Sequence, residues 1–483
     1  MYRSTSALIM FLFASLFASN ANAQTPIHQQ FYDLFDTYKE SSITDRYSKH
    51  ADIEPLILSL SDHDDFTVQK EGESVEGRSI YLIKWGNGPK TVFMWSQMHG
   101  NEPTATMALM DIFNFLKDDE HSDMKRRWSE ELTLLFVPLV NPDGAEVYKR
   151  RNALDVDLNR DALRLTNPES KILKNVRDRY DAMFGFNLHD QSVFYGTGEG
   201  DNEPVAIAFL APAYNIEKET NPVRQRAKQL IGVLKQDLES YIPGKIARFD
   251  DTFEPRAFGD NMQRWGTSTI LIESGGFLND PEKQYLRKLH FMMLLSSFEY
   301  ISAGKYESVG MEEYLSIPMN RFNNVFSYVI RNGSVVHEDN EYVLDLAFRV
   351  QEVLNDEHVL ERNVSRISDV GDVSTFGSYE EFDADGFTIK NMMEFPEIFP
   401  NVEAVMAQDW KRLLRQGYGY FRVYGLDRDA VLRESAGVPF RVLLENQQAP
   451  AFPAIGEDVA LLIEHEDGRQ YVFANGKMTN ITE

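Results

Sequence analysis

The sequence predicts an α/β fold: a mixed central sheet with helices on both faces, followed by a smaller α+β C-terminal domain. Three observations carry this reading. Short uninterrupted apolar runs at 91–96, 132–140, 184–188 and 267–272 suit strands buried on both faces. Longer stretches of helical periodicity lie between them, so strands alternate with helices. Each run also ends in polar residues, and strand ends are where sites collect in open α/β sheets.

Taken in order, residues 24–62 read as a helical lead-in. Residues 66–69 and 78–85 alternate as strands, with a charged turn at 71–76. The strand at 91–96 leads into a tight polar turn holding His99 and Glu102. Pro103 suits the first turn of the helix that follows, where its missing N–H costs little. Met107, Met110, Phe113 and Leu116 then recur at helical spacing. The strand at 132–140 ends in Asn141-Pro142-Asp143-Gly144, a strong turn signal. Residues 150–160 (RRNALDVDLNR) have too little apolar weight for a core segment and read as a surface loop that could receive an anion. A helix at 168–183 precedes the strand 184–188, which delivers His189 and Asp190. A mobile loop is expected at 192–203, a helix at 222–240, and a further buried strand at 267–272 ending in Glu273. A closing helix spans 280–302.

The composition changes beyond that point. Residues 304–318 read as a linker, 326–336 as strand–turn–strand with Asn332-Gly333 at the turn, and 340–355 and 402–415 as helices. Paired strands are expected at 459–463 and 470–474. The domain reading is therefore a signal peptide at 1–23, a catalytic domain at 24–303, a linker at 304–318 and an accessory α+β domain at 319–483.

The signal peptide follows from Arg3, the apolar stretch 7–18 and the small-residue site Ala21-Asn22-Ala23; it implies export to the periplasm or medium. The 483-residue chain contains no cysteine, which excludes disulfides, thiolate metal sites and a cysteine nucleophile. With 75 acidic against 49 basic residues the formal net charge is −26, which argues against nucleic acid as a partner. No later segment reads as a membrane span.

The chemistry lies in the strand ends. An imidazole and a carboxylate three residues apart, His99 and Glu102, can both face one divalent ion, and zinc suits nitrogen and oxygen ligands with an open position. His189 repeats the strand-end placement of His99. Glu273 follows an apolar run, so partial desolvation should raise its pKa and fit it for general-base work.

Five motifs in chain order, HGNE (99–102), VNPDG (140–144), RRN with VDLNR (150–160), LHD (188–190) and ESGG (273–276), resemble the zinc metallocarboxypeptidases of the carboxypeptidase A type over roughly residues 66–300. The resemblance implies one zinc ion held by His99, Glu102 and His189, with water in the open position. It implies Asp157 as the carboxylate behind His99, Glu273 as the general base, and Arg150 as the arginine that stabilises the oxyanion, with Arg151 adjacent. Asn159 and Arg160 would clamp the free C-terminal carboxylate of a peptide substrate. A guanidinium facing inward needs an anionic partner, and a substrate carboxylate would supply one to Arg160. The chain departs from the pattern in one respect: no tyrosine lies between Tyr241 and Glu273 to cap that carboxylate. HGNE and DLNR also resemble deacylases of N-acyl amino acids related to aspartoacylase and succinylglutamate desuccinylase. A non-catalytic peptide-binding protein on the same scaffold is the remaining alternative.

Overall fold

Apolar runs too short for helices become strands. The computed structural model describes residues 25–198, 202–354, 360–424, 437–444 and 446–483. The predicted signal peptide at 1–23 and part of the expected mobile loop at 192–203 lie outside the described residues. Eight strands make the first sheet: β1 (Phe66–Glu73), β2 (Ser79–Trp85), β3 (Lys90–Ser96), β4 (Leu132–Val137), β5 (Phe184–Asp190), β6 (Ile207–Leu210), β7 (Ile246–Arg248) and β8 (Ser268–Ser274). Their spatial order is β1-β2-β4-β3-β5-β8-β6-β7. The central strands β4, β3, β5 and β8 run parallel, whereas β2 joins β4 and β6 joins β8 antiparallel, so the sheet is mixed.

All six residues of β4 are buried, which explains its unbroken apolar sequence: both of its faces are covered. Alternation along the strands divides the core in two. Val92, Met94, Leu134 and Phe136 face one helical layer, made by α1 (Ile27–Tyr38), α3 (Thr104–Lys117), α7 (Pro222–Leu238) and α9 (Gln284–Ala303). Phe93, Trp95, Leu135 and Val137 face the other, where Leu173 and Val176 of α6 (Pro168–Tyr180) and Phe258 and Met262 of α8 (Phe258–Arg264) pack. Shorter helices α2 (His50–Ser59), α4 (Ser122–Glu131) and α5 (Pro142–Glu146) complete this region. Arg287 of α9 is fully buried and donates to Asp111 of α3 and to the carbonyls of Glu40 and Ile43, joining three segments. Residues 304–318 hold a 3-10 turn and α10 (Met311–Leu315), with Tyr314 and Ile317 buried in the first core.

The C-terminal region is rich in strands. One sheet runs β11 (Leu360–Gly371), β10 (Asn340–Leu354), β9 (Val325–His337), β13 (Phe387–Asn391), β17 (Leu461–His465), β18 (Gln470–Ala474), β19 (Lys477–Asn480), with β12 (Gly377–Asp383) beside β9. A second, parallel sheet of β14 (Met393–Phe399), β15 (Tyr418–Val423) and β16 (Arg441–Leu443) carries α11 (Val402–Met406) and α12 (Trp410–Arg415).

Three sequence expectations change here. Residues 340–355, read as a helix, form the long strand β10, held on one edge by β9 and on the other by β11. Leu344, Leu346 and Phe348 alternate onto one core, and pairing on both edges overrides the helix-forming Leu, Glu and Arg content. Asn332-Gly333 lies within β9 and is not a turn between two strands: Arg331 and Asn332 form a bulge, and Gly333 pairs with Leu344. Asn332 sits at φ +56, and the register slips opposite Asp345, whose Oδ1 accepts the Asn332 N–H. The helix expected over 402–415 is two helices, because Asp409 caps a second start with a bond from the Arg412 N–H.

Candidate active site

β3 ends at Ser96, and the chain turns sharply at Gln97 (φ +51), whose Nε2 donates to the carbonyl of Gly100. Gly100 is required: a Cβ there would lie 2.0 Å from the backbone of Gly144. The HGNE and NPDG turns therefore fit against each other, and α3 leaves immediately afterwards. The result is a buried polar cluster. His99 Nδ1 lies 2.8 Å from Glu102 Oε1, and His189 Nδ1 lies 2.7 Å from Glu102 Oε2. The two imidazole centroids are 4.8 Å apart. His99, Glu102 and His189 form a possible metal-binding triad, with one ligand atom from each lying within 4.8 Å of the others. Two imidazole nitrogens and one carboxylate form a donor set that suits zinc and leaves a position open.

Around the triad the charges are ordered. Asp157 starts the 3-10 turn Leu158–Arg160 by accepting the Asn159 N–H on Oδ1, and the same oxygen lies 3.1 Å from His99 Nε2. This contact fixes which ring nitrogen of His99 faces Glu102. Arg150 donates from Nε and Nη2 to Asp157 Oδ2 and from Nη1 to Glu102 Oε1 at 3.1 Å. Arg151 turns away and donates to the Asp155 carbonyl. Arg150 is thus the one of the pair at the cluster.

The titration of these groups follows their neighbours. Burial opposes the protonation of His99, but the Glu102 and Asp157 carboxylates outweigh it and raise its pKa. His189 is lowered, because burial, helped by the charges of His99 and Arg150, outweighs Glu102; its Nε2 is buried without a partner. Glu102 and Asp157 stay well below the usual carboxylate range despite burial, held down by the histidines and, for Asp157, also by Arg150. Glu273 moves the other way. Burial, reinforced by the charges of Glu102 and Asp190, pushes its carboxyl well above the ordinary glutamate value. It stands beside the cluster because β8 pairs with β5 in a register that sets Glu273 directly opposite His189.

The cluster opens into a cleft of about 740 Å³ lined by His99, Glu102, Arg150, Asn159, Arg160 and Glu273. His189 and Asp157 are reached through Glu102 and His99. Asn159 Oδ1 accepts the Phe258 N–H at the start of α8. Arg160 departs from expectation: its guanidinium already has a protein carboxylate, Glu254, at 3.6 Å. Glu254 is itself gripped by both prongs of Arg256, which hold its pKa down at about 2. Arg160 therefore does not carry an unpaired charge.

Sequence reasoning missed several cleft residues. Asn187 and Gln191 flank His189 on β5 and just beyond it. Tyr195 stacks between Phe249 and Phe322, and burial together with the Glu273 charge raises its pKa. Phe322 and Glu352 come from beyond the linker segment, and Glu352 pairs with Arg46 at the cleft. Only the nearness of Gln191 to the LHD motif was visible in the sequence; Phe322 and Glu352 arrive through long-range packing.

Comparison with known proteins follows the same segment. The family model described as zinc carboxypeptidase matches residues 58–225, a span that stops short of Glu273. Carboxypeptidase SOL1 of Arabidopsis thaliana is 31% identical over 119 residues, covering 21% of this chain and 24% of the relative. Probable carboxypeptidase 2 of Arthroderma benhamiae is 24% identical over 175 residues, covering 35% and 30%. The chain thus spans a third or less of the length of these curated relatives. A metallo-carboxypeptidase structure from Burkholderia cenocepacia is similar at 16% identity and a TM-score of 0.42, covering 53% of this chain and 69% of that one. Over residues 58–225, the chain is similar to the zinc carboxypeptidases.

Proposed function

We propose that this chain is an exported, zinc-dependent carboxypeptidase that removes the C-terminal residue of peptides, and that its catalytic unit is 24–303, with 319–483 as an accessory region. The observation that carries the reading is the register between β5 and β8, which sets a carboxyl with a raised pKa, Glu273, opposite His189 of the triad. His99, Glu102 and His189 would hold one zinc ion, and Asp157 would keep the His99 ring oriented. Bound there, zinc would supply a Lewis acid that polarises the scissile carbonyl and makes water more acidic.

The remaining work falls to the chain's own side chains. Asn159 and Arg160 receive the substrate carboxylate, with the arginine fork exchanging Glu254 for a two-pronged contact. Arg150, whose Nη1 already reaches Glu102, stabilises the negative oxygen that develops on the attacked carbonyl. Glu273 takes the proton from the attacking water and returns it to the leaving amine, so the two products are a shortened peptide and a free amino acid. Its raised pKa suits both transfers. The apolar stretch and small-residue site at the N-terminus support export, and no helix among the described residues is long and apolar enough to cross a membrane.

The test is kcat/KM for a peptide against its C-terminal amide. The reading predicts a strong preference for the free acid. Equal values would overturn carboxylate recognition and favour an endopeptidase or deacylase.

A further inference from the structure

Side chains two apart on a strand share a face, so Asn187, His189 and Gln191 project to the same side of the sheet. The ladder continues past β5, because the Gln191 N–H donates to the Ser274 carbonyl at 2.9 Å. Asn187 lies toward α8: a Cβ at Gly259 would sit 3.3 Å from its Nδ2. That is the side of Asn159, which holds the first turn of α8. Gln191 lies on the opposite side of His189, against Gly275, where a Cβ would come within 3.0 Å of its Nε2.

Gln191 is 9% exposed, lines the cleft, and its Nε2 is buried with no partner. A buried donor left unmade costs about 1–3 kcal/mol, so an amide in this state marks a place where a ligand acceptor fits. Its orientation is imposed from outside the central sheet. Gln191 Oε1 accepts from Asn320 Nδ2 at 2.6 Å, which leaves two unpartnered ends on this pair, the Gln191 NH2 group and Asn320 Oδ1. Asn320 is itself pinned: its backbone N–H donates to Arg248, and the next residue, Arg321, exchanges two 2.9 Å bonds with Gly196. The chain entering the C-terminal region thus sets the direction of a donor in the cleft.

We propose that Gln191, oriented by Asn320, donates from Nε2 to a substrate peptide carbonyl on the amino side of the scissile bond. The proposal rests on the carboxypeptidase reading, which places the substrate's carboxylate at Asn159 and Arg160 and so runs its upstream part past Gln191. Recognition here is of the acyl group, not of a particular side chain. Asn320 is a positioning residue.

The test compares an N-acylated dipeptide, which carries an upstream carbonyl, with the same dipeptide unblocked. Gln191→Met keeps the volume and removes the donor. Asn320→Asp can no longer donate to Oε1 but accepts from Nε2, which turns the amide away from the cleft. Each variant should raise KM for the acylated peptide by about 3- to 10-fold, the size of one neutral hydrogen bond, with kcat retained and the unblocked peptide unaffected. Unchanged KM, or equal shifts for both peptides, would overturn the proposal. Calorimetric binding of both peptides to the Glu273→Gln protein, with and without Gln191→Met, makes the same comparison without turnover. Absence of hydrolysis by the wild type therefore counts against the peptidase reading, while equal affinities count against Gln191.

Discussion

The two large sheets of this protein bury their strands in opposite ways. In the first, β4 and β5 are covered on both faces, run parallel to β3, and have their titratable groups, His189 and Asp190, only where β5 ends. In the second, β9 and β10 are long, paired antiparallel and exposed over part of their length. The first architecture concentrates chemistry at one edge, because charged groups are confined to the strand ends and the ends face the cleft. The second spreads its polar residues along its surface and, among the described residues, sends Phe322, just before β9, and Glu352 toward the cleft. The candidate site is thus built from strand ends, and among the described residues the C-terminal region reaches the cleft through Phe322 and Glu352 and contacts Gln191 through Asn320.

Substitutions on each side sharpen that contrast. The largest effect belongs to Glu273→Gln, which should lower kcat by about 10²–10⁴-fold while zinc content stays at the wild-type value. Steady-state kinetics with metal analysis check this, and turnover like the wild type would place the base elsewhere. In the second sheet, Phe348 is fully buried and stacks on Phe473 with centroids 4.3 Å apart. Phe348→Ala should cost about 3–5 kcal/mol of stability in denaturant unfolding, yet leave kcat/KM per folded molecule unchanged. A fall in kcat would mean that this core is coupled to the chemistry.

Smaller effects test the edges of the comparison. Arg160→Lys keeps the charge but loses the fork, and should lower kcat/KM for free-acid peptides by about tenfold, close to 1.4 kcal/mol. An undiminished value would show that another residue reads the carboxylate. An effect on stability alone concerns Asp237 of α7, whose carboxyl burial pushes up to about 7 while it accepts a bond from Tyr300. Its native pKa lies above the unfolded value, so the native state binds more protons between them, and stability falls as pH rises from about 4 through about 7. Asp237→Asn should remove that slope, so that its melting temperature exceeds the wild type's at pH 8 and not at pH 4. Parallel pH profiles would contradict the assignment.

The central sheet was legible because uniform burial writes uniform apolar runs, and because the turns after them, HGNE and NPDG, keep their polar character in any context. His99, Glu102, His189 and Glu273 meet for that reason. The partner of Arg160 was not legible: Glu254 is distant in sequence and arrives through the fold. Gln191 stood two residues after His189, but its free donor exists only because Asn320 occupies the other end of the amide. β10 was misread because its Leu, Glu and Arg content suits a helix, and only the edges of β9 and β11 make it a strand. Asn332-Gly333 carries the signature of a hairpin turn, and Asn332 serves in a bulge, since a left-handed residue satisfies either geometry.

β3, β5 and the turn between β3 and α3 bring together the triad that would hold the metal. Zinc stoichiometry of the purified wild type beside His189→Ala tests this assignment most directly. The triad should hold about one zinc per chain in the wild type, as expected of a site with three protein ligands, and lose stoichiometric zinc in the variant. A wild type without zinc, or a His189→Ala protein that keeps it in full, would contradict the assignment.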